Sequence, residues 1–309
     1  MSESYLTPEI MATVGEKTVP RRGVITADHF RRFAVGVDDT NPLYTDVAAA
    51  RAAGYRDVIS PPLFNAAVTR PHPFRDGLLG DGQYESVAPP GLGHLQTMLA
   101  GQSWELIRPT HPGEELIETF TTTSITEKQG KTGNMVFVEK EATLATPDGE
   151  VVERYGNTLI LRAPPPPLPP YQGETATPAA MAGAGATELS GDVMVKNPDM
   201  ITLFMFCASI WAVHRIHWDA PYAQREGLKL PILPGWLVAS YLAQLATLRA
   251  PEDERLTKLS ARYRSSAYPG DRLTCTGEGS GSSQTLQVAN ADGVVLVTAD
   301  ATTAPRFAG

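Results

Sequence analysis

Residues 33–64 read FAVGVDDTNPLYTDVAAARAAGYRDVISPPLF, and they align without a gap with residues 206–237, which read FCASIWAVHRIHWDAPYAQREGLKLPILPGWL. The offset between the two stretches is 173 residues. The same residue stands at the matched positions Phe33/Phe206, Asp46/Asp219, Ala50/Ala223, Gly54/Gly227, Ile59/Ile232 and Pro61/Pro234. Self-similarity of this kind indicates two copies of one folding unit.

The two copies differ at polar positions that could carry chemistry. Asp39 in the first copy lies opposite Ala212, and Tyr44 lies opposite His217. One copy therefore holds a carboxylate and the other an imidazole, two groups that enzymes use for acid–base work. The function depends on which copy, if either, is active.

The repeat continues into paired β-strands. Residues 137–161 and 285–302 each contain two apolar runs around an Asp-Gly pair, which is typical of a hairpin. Between the copies, residues 163–187 read APPPPLPPYQGETATPAAMAGAGAT, which predicts a linker with a stiff proline run and a flexible Ala/Gly part. We therefore predict an N-terminal repeat over 1–162 and a C-terminal repeat over 188–309.

Each copy is predicted to begin with short helices, at 26–35 and 46–54 in the first copy. A longer helix follows, LFNAAVTR (63–70) in the first copy and WLVASYLAQLATLR (236–249) in the second. Antiparallel strands come next and no βαβ alternation is present, so the expected class is α+β with the sheet wrapped around the helix. Residues 70–94 are rich in Gly and Pro and predict a lid, a pocket wall or a disordered loop.

The composition argues against several classes of function. A net charge of −8 without a basic tract disfavours nucleic acid as a partner, and the apolar stretches are too short for a membrane span. The N-terminal segment is acidic and polar, unlike a targeting peptide, so we expect a cytoplasmic protein. Cys207 and Cys275 lack metal-binding spacing, so we expect reduced packing residues and no metal site.

The first copy resembles the MaoC-like dehydratase family, the R-specific enoyl-CoA hydratases with hot-dog domains. The motif of that family reads D-x-N-P-[aliphatic]-H-x-D, then A-x-x-x-G, then I-x-P-G. The first copy matches it at Asp39, Asn41, Pro42, Leu43, Asp46, Ala50, Gly54, Ile59 and Pro61. It departs at Tyr44, where the family has His, and at Pro62, where the family has Gly. These departures are similar to those of the non-catalytic N-terminal halves of double-hot-dog dehydratases.

The second copy is similar to the catalytic halves of mesaconyl-CoA-type hydratases and of the mitochondrial 3-hydroxyacyl-thioester dehydratase. The matching residues are His214, Arg215, Ile216, His217, Asp219, Gly227 and Gly235. It departs at Ala212, where a carboxylate or amide is expected. The resemblance implies a double hot-dog, in which two repeats lie side by side and one continuous antiparallel sheet wraps their long helices. One chain would then imitate a homodimer of the family.

The resemblance also implies a chemistry. In the family an Asp and a His flank one water, and the start of the central helix gives a backbone N–H to the thioester oxygen. His217 and Gly235 would have these roles in the second copy. Pro62, at the position of Gly235, has no N–H to give. The second copy is therefore expected to hold the catalytic residues, His217 and Gly235.

Other positions have less specific expectations. Substrate contacts are expected at Ser209, Ala212, Trp236 and His214. His214 and Arg215 would also brace their turn, and Asp46 and Asp219 would cap helices. A vestigial N-terminal pocket would be formed by Asp39, Asn41 and Tyr44.

The leading hypothesis is an acyl-thioester hydratase or dehydratase acting on an enoyl-CoA or an acyl-carrier-protein thioester. No cofactor is expected beyond the coenzyme A of the substrate, and a homodimer or a second hot-dog subunit is compatible with the family. Two alternatives stay open: a non-catalytic thioester-binding or partner subunit, and altered chemistry such as isomerisation in the same pocket. The choice among these hypotheses depends on which group, if any, replaces the carboxylate at Ala212.

Overall fold

A computed structural model describes residues 4–84, 87–130, 133–169, 187–279 and 282–306. The described α-helices are α1 (Pro8–Ala12), α2 (Ala27–Val37), α3 (Val47–Ala52), α4 (Met200–Ser209), α5 (Ala220–Arg225) and α6 (Gly235–Arg249). The described strands are β1 (Arg21–Val24), β2 (Gln96–Leu106), β3 (Glu115–Gly130), β4 (Gly133–Ala145), β5 (Val151–Arg162), β6 (Glu188–Ser190), β7 (Val193–Lys196), β8 (Glu254–Tyr263), β9 (Leu273–Glu278), β10 (Ser283–Ala289) and β11 (Val295–Pro305).

The strands form one antiparallel sheet of 11 strands in the order β1-β3-β4-β5-β2-β8-β11-β10-β9-β7-β6. Read outward from the junction, the first half contributes β2-β5-β4-β3-β1 and the second half contributes β8-β11-β10-β9-β7. The two orders correspond strand for strand, and β6 is added at the edge of the second half. The halves join where β2 pairs with β8, from Gly101 opposite Arg262 to Glu105 opposite Lys258. This confirms the predicted α+β double hot-dog with a continuous antiparallel sheet.

The described residues of the first half form no long central helix, so the helix predicted over 63–70 is wrong. The chain there makes one 3-10 turn at Asn65–Ala67, after a left-handed residue at Leu63 (φ 64°). The Asn65 side chain donates to Glu153 at 2.9 Å and accepts from Thr110 at 2.7 Å. These buried bonds hold the segment in a non-helical path, since an unpaired buried amide would be costly.

In the second half α6 forms as predicted and lies in the core. Every residue from Trp236 to Ala246 is buried, including the polar Ser240 and Gln244, so this helix is covered on all sides. The shorter helices α2 and α4, one from each half, pack together through Phe33 and Phe206, whose ring centroids lie 5.7 Å apart. One long helix therefore fills the core of a sheet built from two repeats.

The short helices α3 and α5 begin at the predicted caps. Asp46 accepts hydrogen bonds from the N–H groups of Ala48 and Ala49 at 2.7 and 3.2 Å. Asp219 accepts from the N–H of Tyr222 at 3.1 Å. Both capping predictions are confirmed, and each cap fixes the turn immediately before it.

The boundary predicted at 163–187 stays a prediction, because residues 170–186 lie outside the described ranges. The start of the segment runs along the second half, where the Leu168 N–H donates to the Gln224 carbonyl at 2.9 Å. Among the described residues no helix is long and apolar enough to cross a membrane, and no cluster of potential metal ligands occurs. Cys207 and Cys275 are both free thiols.

Replacing Leu237 with Ala should reveal how much of the stability comes from α6. Leu237 is fully buried, so we expect the variant to lose about 2–5 kcal/mol of unfolding free energy, measured by urea denaturation. Leu248→Ala is the matched control, because Leu248 lies in the same helix and is 53% exposed. Equal losses for the two variants would contradict the placement of α6 in the core.

Candidate active site

A cavity of about 730 Å³ lies between the two halves of the protein. The second half contributes the turn with His214 and His217 and the start of α6 at Gly235. The first half contributes the inner face of β2 to β5, together with Arg70 and Tyr84 from the segment after the 3-10 turn. The cavity thus joins the histidines to the part of the first half that has no central helix.

His217 ends a 3-10 turn at Arg215–His217, and one face of its ring lines the cavity. Its Nδ1 lies 2.9 Å from the carbonyl oxygen of Ile232, so Nδ1 carries the hydrogen and donates it. Nε2 is left as the basic nitrogen. Burial lowers the pKa of His217 to about 4 and outweighs the opposing bond to Ile232, and the charges of His214 and Arg70 lower the pKa a little further. The ring is therefore a neutral base at physiological pH.

The turn that carries His217 is braced from outside the cavity. The Arg215 Nε donates to the Asp219 carboxylate at 2.8 Å, and Asp219 also caps α5. The Ile232 N–H donates to the Ile216 carbonyl at 3.0 Å. Arg215 therefore braces its turn, as expected, and the bond between Ile232 and Ile216 keeps the Ile232 carbonyl beside the imidazole.

Gly235 is the first residue of α6, and its N–H makes no hydrogen bond with any described residue. The first N–H groups of a helix have no partner inside the helix, and the helix dipole adds partial positive charge there. A Cβ at Gly235 would lie 3.0 Å from the Tyr263 ring, so a larger residue would displace that ring. The N–H is thus available to an oxygen in the cavity.

Ala212 also lines the cavity, and no described carboxylate or amide side chain hydrogen-bonds His217. The nearest such groups come from the first half. Asp81 Oδ2 lies 3.6 Å from His214 Nε2, and the Gln83 amide nitrogen lies 3.2 Å from the same atom. The ring centroids of His214 and His217 are 6.0 Å apart. The Asp81 carboxylate thus contacts His214, whose ring lies beside that of His217.

Asp81 is held as a carboxylate. Burial alone would raise its pKa, but hydrogen bonds with His214 and with the side chain and backbone N–H of Gln83 outweigh burial and lower the pKa to about 2. No motif in the sequence marks Asp81, because it lies in the stretch 70–94, which has no periodicity. The only hint was the Gly and Pro content of a loop long enough to form a pocket wall.

The described part of that loop is docked against the second half. The Arg215 N–H donates to the Asp81 carbonyl at 2.8 Å, and the Tyr84 hydroxyl donates to the Trp211 carbonyl at 3.0 Å. Gly82 has φ of 85°, and a Cβ there would lie 2.3 Å from the Val213 carbonyl oxygen, so only glycine fits. Of the three expectations for the loop, the described residues form a pocket wall.

The remaining expected substrate contacts divide into two groups. Trp236 lines the cavity, and its indole N–H donates to the Leu63 carbonyl of the first half at 3.1 Å. Ser209 does not line the cavity; its hydroxyl donates to the Phe206 carbonyl at 2.8 Å within α4. Trp236 therefore shapes the cavity wall in a fixed orientation, and Ser209 finishes its own helix.

The first half has a smaller cavity of about 120 Å³, which Asn41 and Tyr44 line and Asp39 does not. Tyr44 is buried, Asp39 accepts from the Asn41 N–H at 3.1 Å, and Asn41 accepts from the Leu43 N–H at 3.1 Å. Asp39 lies beside Gln244, about 14 Å along α6 from Gly235 at the usual helical rise. The polar residues therefore stabilise a turn, and Asp39 belongs to a different site from His217.

A family model described as FAS1-like, dehydratase domain region matches residues 12–154. The UPF0336 protein of Streptomyces avermitilis is 36% identical over 103 residues, which are 33% of this chain and 63% of that protein. The UPF0336 protein of Thermobifida fusca is 34% identical over 151 residues, 48% of this chain and 90% of that protein. The mesaconyl-C(4)-CoA hydratase of Chloroflexus aurantiacus is 28% identical over 191 residues, 60% of this chain and 64% of that protein.

Among solved structures, a MaoC-like dehydratase covers 97% of this chain and 100% of its own, with a TM-score of 0.73 and 17% identity. This likeness supports the double hot-dog fold. By its fold and by these relatives, the protein is a MaoC-like hot-dog protein. Within that class, the chain belongs to the family of its UPF0336 relatives.

The protonation state of His217 can be measured directly. We expect ¹⁵N NMR, assigned with a His217→Gln variant, to show a neutral ring with hydrogen on Nδ1 from pH 8 down to about pH 5. Protonation should be half complete near pH 4, because burial disfavours the charged ring. A midpoint near the ordinary histidine value of 6.5, or hydrogen on Nε2, would contradict the geometry of the site.

Proposed function

We propose that the protein is an acyl-thioester hydratase or dehydratase whose site lies in its second half. The observation that carries the proposal is the pairing of a neutral imidazole, His217, with a free helix N–H, Gly235, on one cavity. These are the two functions that adding water to an enoyl thioester needs: a base, and a donor for the enolate oxygen. The relation to hydratase and dehydratase enzymes supports the same assignment.

The reaction proceeds by addition of water across the double bond. His217 Nε2 takes a proton from water while the oxygen forms a bond to the β-carbon. Electrons move to the thioester oxygen, where the Gly235 N–H and the dipole of α6 stabilise the enolate. The proton then passes from His217 to the α-carbon, and the base is regenerated. Dehydration is the same path in reverse.

The second polar group of the site is His214, held by Asp81. A separation of 6.0 Å between the two imidazole centroids is one that a single water can bridge. His214 then orients the water, and Asp81, acting through His214, is a positioning residue. In this proposal Asp81 of the first half supplies the carboxylate that is missing from the second half at Ala212.

The acyl chain extends from Gly235 into the first half, where the cavity takes the place of a central helix. The thioester is a CoA ester or an acyl-carrier-protein ester, and coenzyme A enters as part of the substrate. No other cofactor is proposed. Whether the chain works alone, as a homodimer or with a second hot-dog subunit does not affect this site, because both of its halves come from one chain.

A non-catalytic thioester-binding subunit is the second candidate, and Ala212 favours it. In that case the cavity would bind enoyl-CoA, and hydration would appear only when another hot-dog chain is added. The altered chemistry of an isomerase would show as movement of the double bond without uptake of water. Both differ from the proposal in the product formed by the pure protein.

His217→Ala should lower kcat/KM for hydration by about 10²- to 10⁴-fold, because it removes the base. The measurement is the loss of enoyl-thioester absorbance across a panel of enoyl-CoA esters. Tyr44→Phe, at the matched position of the first half, is the control and should keep full activity. Unchanged hydration in His217→Ala would rule out the proposed base.

Asp81→Asn should lower kcat by about 10- to 100-fold with little change in KM. The substitution removes the charge from the carboxylate that bonds His214, and His214 then orients the reacting water less well. Asp81→Glu should restore part of the rate. Asp76→Asn is the matched control, since Asp76 is an exposed carboxylate of the same loop. A role limited to stability would instead reduce the yield of folded protein and leave kcat per folded site intact.

A further inference from the structure

Arg70 is the most unusual side chain of the cavity outside the proposed catalytic pair. It follows the 3-10 turn of the first half, where the matched position of the second half is inside α6. Its guanidinium carbon lies 5.6 Å from the centre of the Trp236 ring and 5.7 Å from that of Tyr84. Two aromatic faces therefore fix the cation at the cavity wall.

The guanidinium of Arg70 has no polar partner among the described residues. Its Nε is buried without a hydrogen bond, and it forms no salt bridge. Other cations on the same wall do have such partners: Arg21 pairs with Glu118 at 3.7 Å, and Lys140 donates to the Val87 carbonyl at 2.9 Å. Arg70 is thus a half-buried cation at the cavity wall whose guanidinium is not paired with any described residue, so its donors are open to an anion in the cavity.

Glu118 is a carboxylate on the same cavity wall, and it already bonds other residues. Glu118 accepts a hydrogen bond from the Tyr155 hydroxyl at 2.6 Å, besides its contact with Arg21. Burial raises the pKa of Glu118, and the bond from Tyr155 only partly opposes this. Glu118 therefore interacts with Arg70 through charge alone, and no described carboxylate hydrogen-bonds the Arg70 guanidinium.

The first-half wall of the cavity carries polar side chains among apolar ones. Gln102 donates to Asn157 at 2.8 Å and accepts from the Tyr263 hydroxyl at 2.7 Å, so these groups bond one another. Glu118 and Lys140 lie on the same wall as the apolar side chains of Met98 and Ile160. An acyl group with an apolar stem and a charged end can therefore contact both kinds of surface.

We propose that Arg70 binds a carboxylate carried by the acyl group, so that the protein takes dicarboxylic acyl thioesters. This rests on the proposed function for the position of the thioester at Gly235. Trp236, which stacks on Arg70, directly follows Gly235, so the cation lies within a short acyl chain of the thioester oxygen. The planar guanidinium can bind both carboxylate oxygens, which also orients the chain.

The test measures binding with saturated esters, which cannot be hydrated, so that its result does not depend on catalysis. Calorimetry compares succinyl-, glutaryl- and adipyl-CoA with butyryl-, pentanoyl- and hexanoyl-CoA. We expect the protein to bind at least one dicarboxylic ester about 10- to 100-fold more tightly than its matched monocarboxylic ester, the range of a charge-assisted hydrogen bond. Arg70→Met should abolish this preference by weakening the dicarboxylic ester alone.

Two further variants complete the experiment. Arg70→Gln is a second neutral change that tests the proposal should the Met variant fold poorly, and Arg75→Met changes an exposed arginine of the same loop as a control. Absence of any preference in the unaltered protein would overturn the proposal. So would an equal loss for both ester classes and for free CoA in Arg70→Met, because Arg70 would then bind a phosphate of CoA. A protein that shows the preference but hydrates no ester would refute the proposed function and leave the carboxylate site standing.

Discussion

The antiparallel pairing of β2 with β8 is the contact on which the rest of the structure depends. It joins two half-sheets into one, and it places Trp104 opposite Leu259 in the shared core. Because the sheet is continuous, one long helix, α6, can anchor the core for both halves. The described part of the first half then lacks a central helix of its own, and its inner face lines the cavity instead. The space that this creates is the cavity, so the loss of one helix and the gain of a binding site have one cause.

The two halves contribute different chemistry to that cavity. The second half holds the base and the helix N–H, each fixed by backbone contacts at Ile232 and at the start of α6. The first half supplies charged side chains from a loop that the second half holds in place: Asp81 beside His214, and Arg70 on Trp236. In the proposed function, this loop completes the water-binding site through Asp81 and binds the acyl group through Arg70. Neither half would hold a complete site alone, which explains why both are retained in one chain.

Much of the fold could be predicted from the sequence because its determinants are local or repeated. The gap-free repeat, the Asp-Gly turns and the caps at Asp46 and Asp219 all act within a few residues. The first-half helix could not be judged in this way. LFNAAVTR contains good helix formers, yet bonds from Asn65 to Glu153 and Thr110, far away in sequence, decide its path. The sequence does not reveal Asp81 and Arg70 for the same reason, since their significance comes from contacts between the two halves.

The central claim is that a thioester lies at the second-half site with its acyl group in the first half. A crystal structure of the protein with bound butyryl-CoA tests it most directly. The account predicts the thioester oxygen within about 2.7–3.1 Å of the Gly235 nitrogen, and the β-carbon facing His217 Nε2. The acyl chain should point toward Arg70. A thioester bound beside Pro62, or one in the cavity with its oxygen turned away from Gly235, would contradict the account.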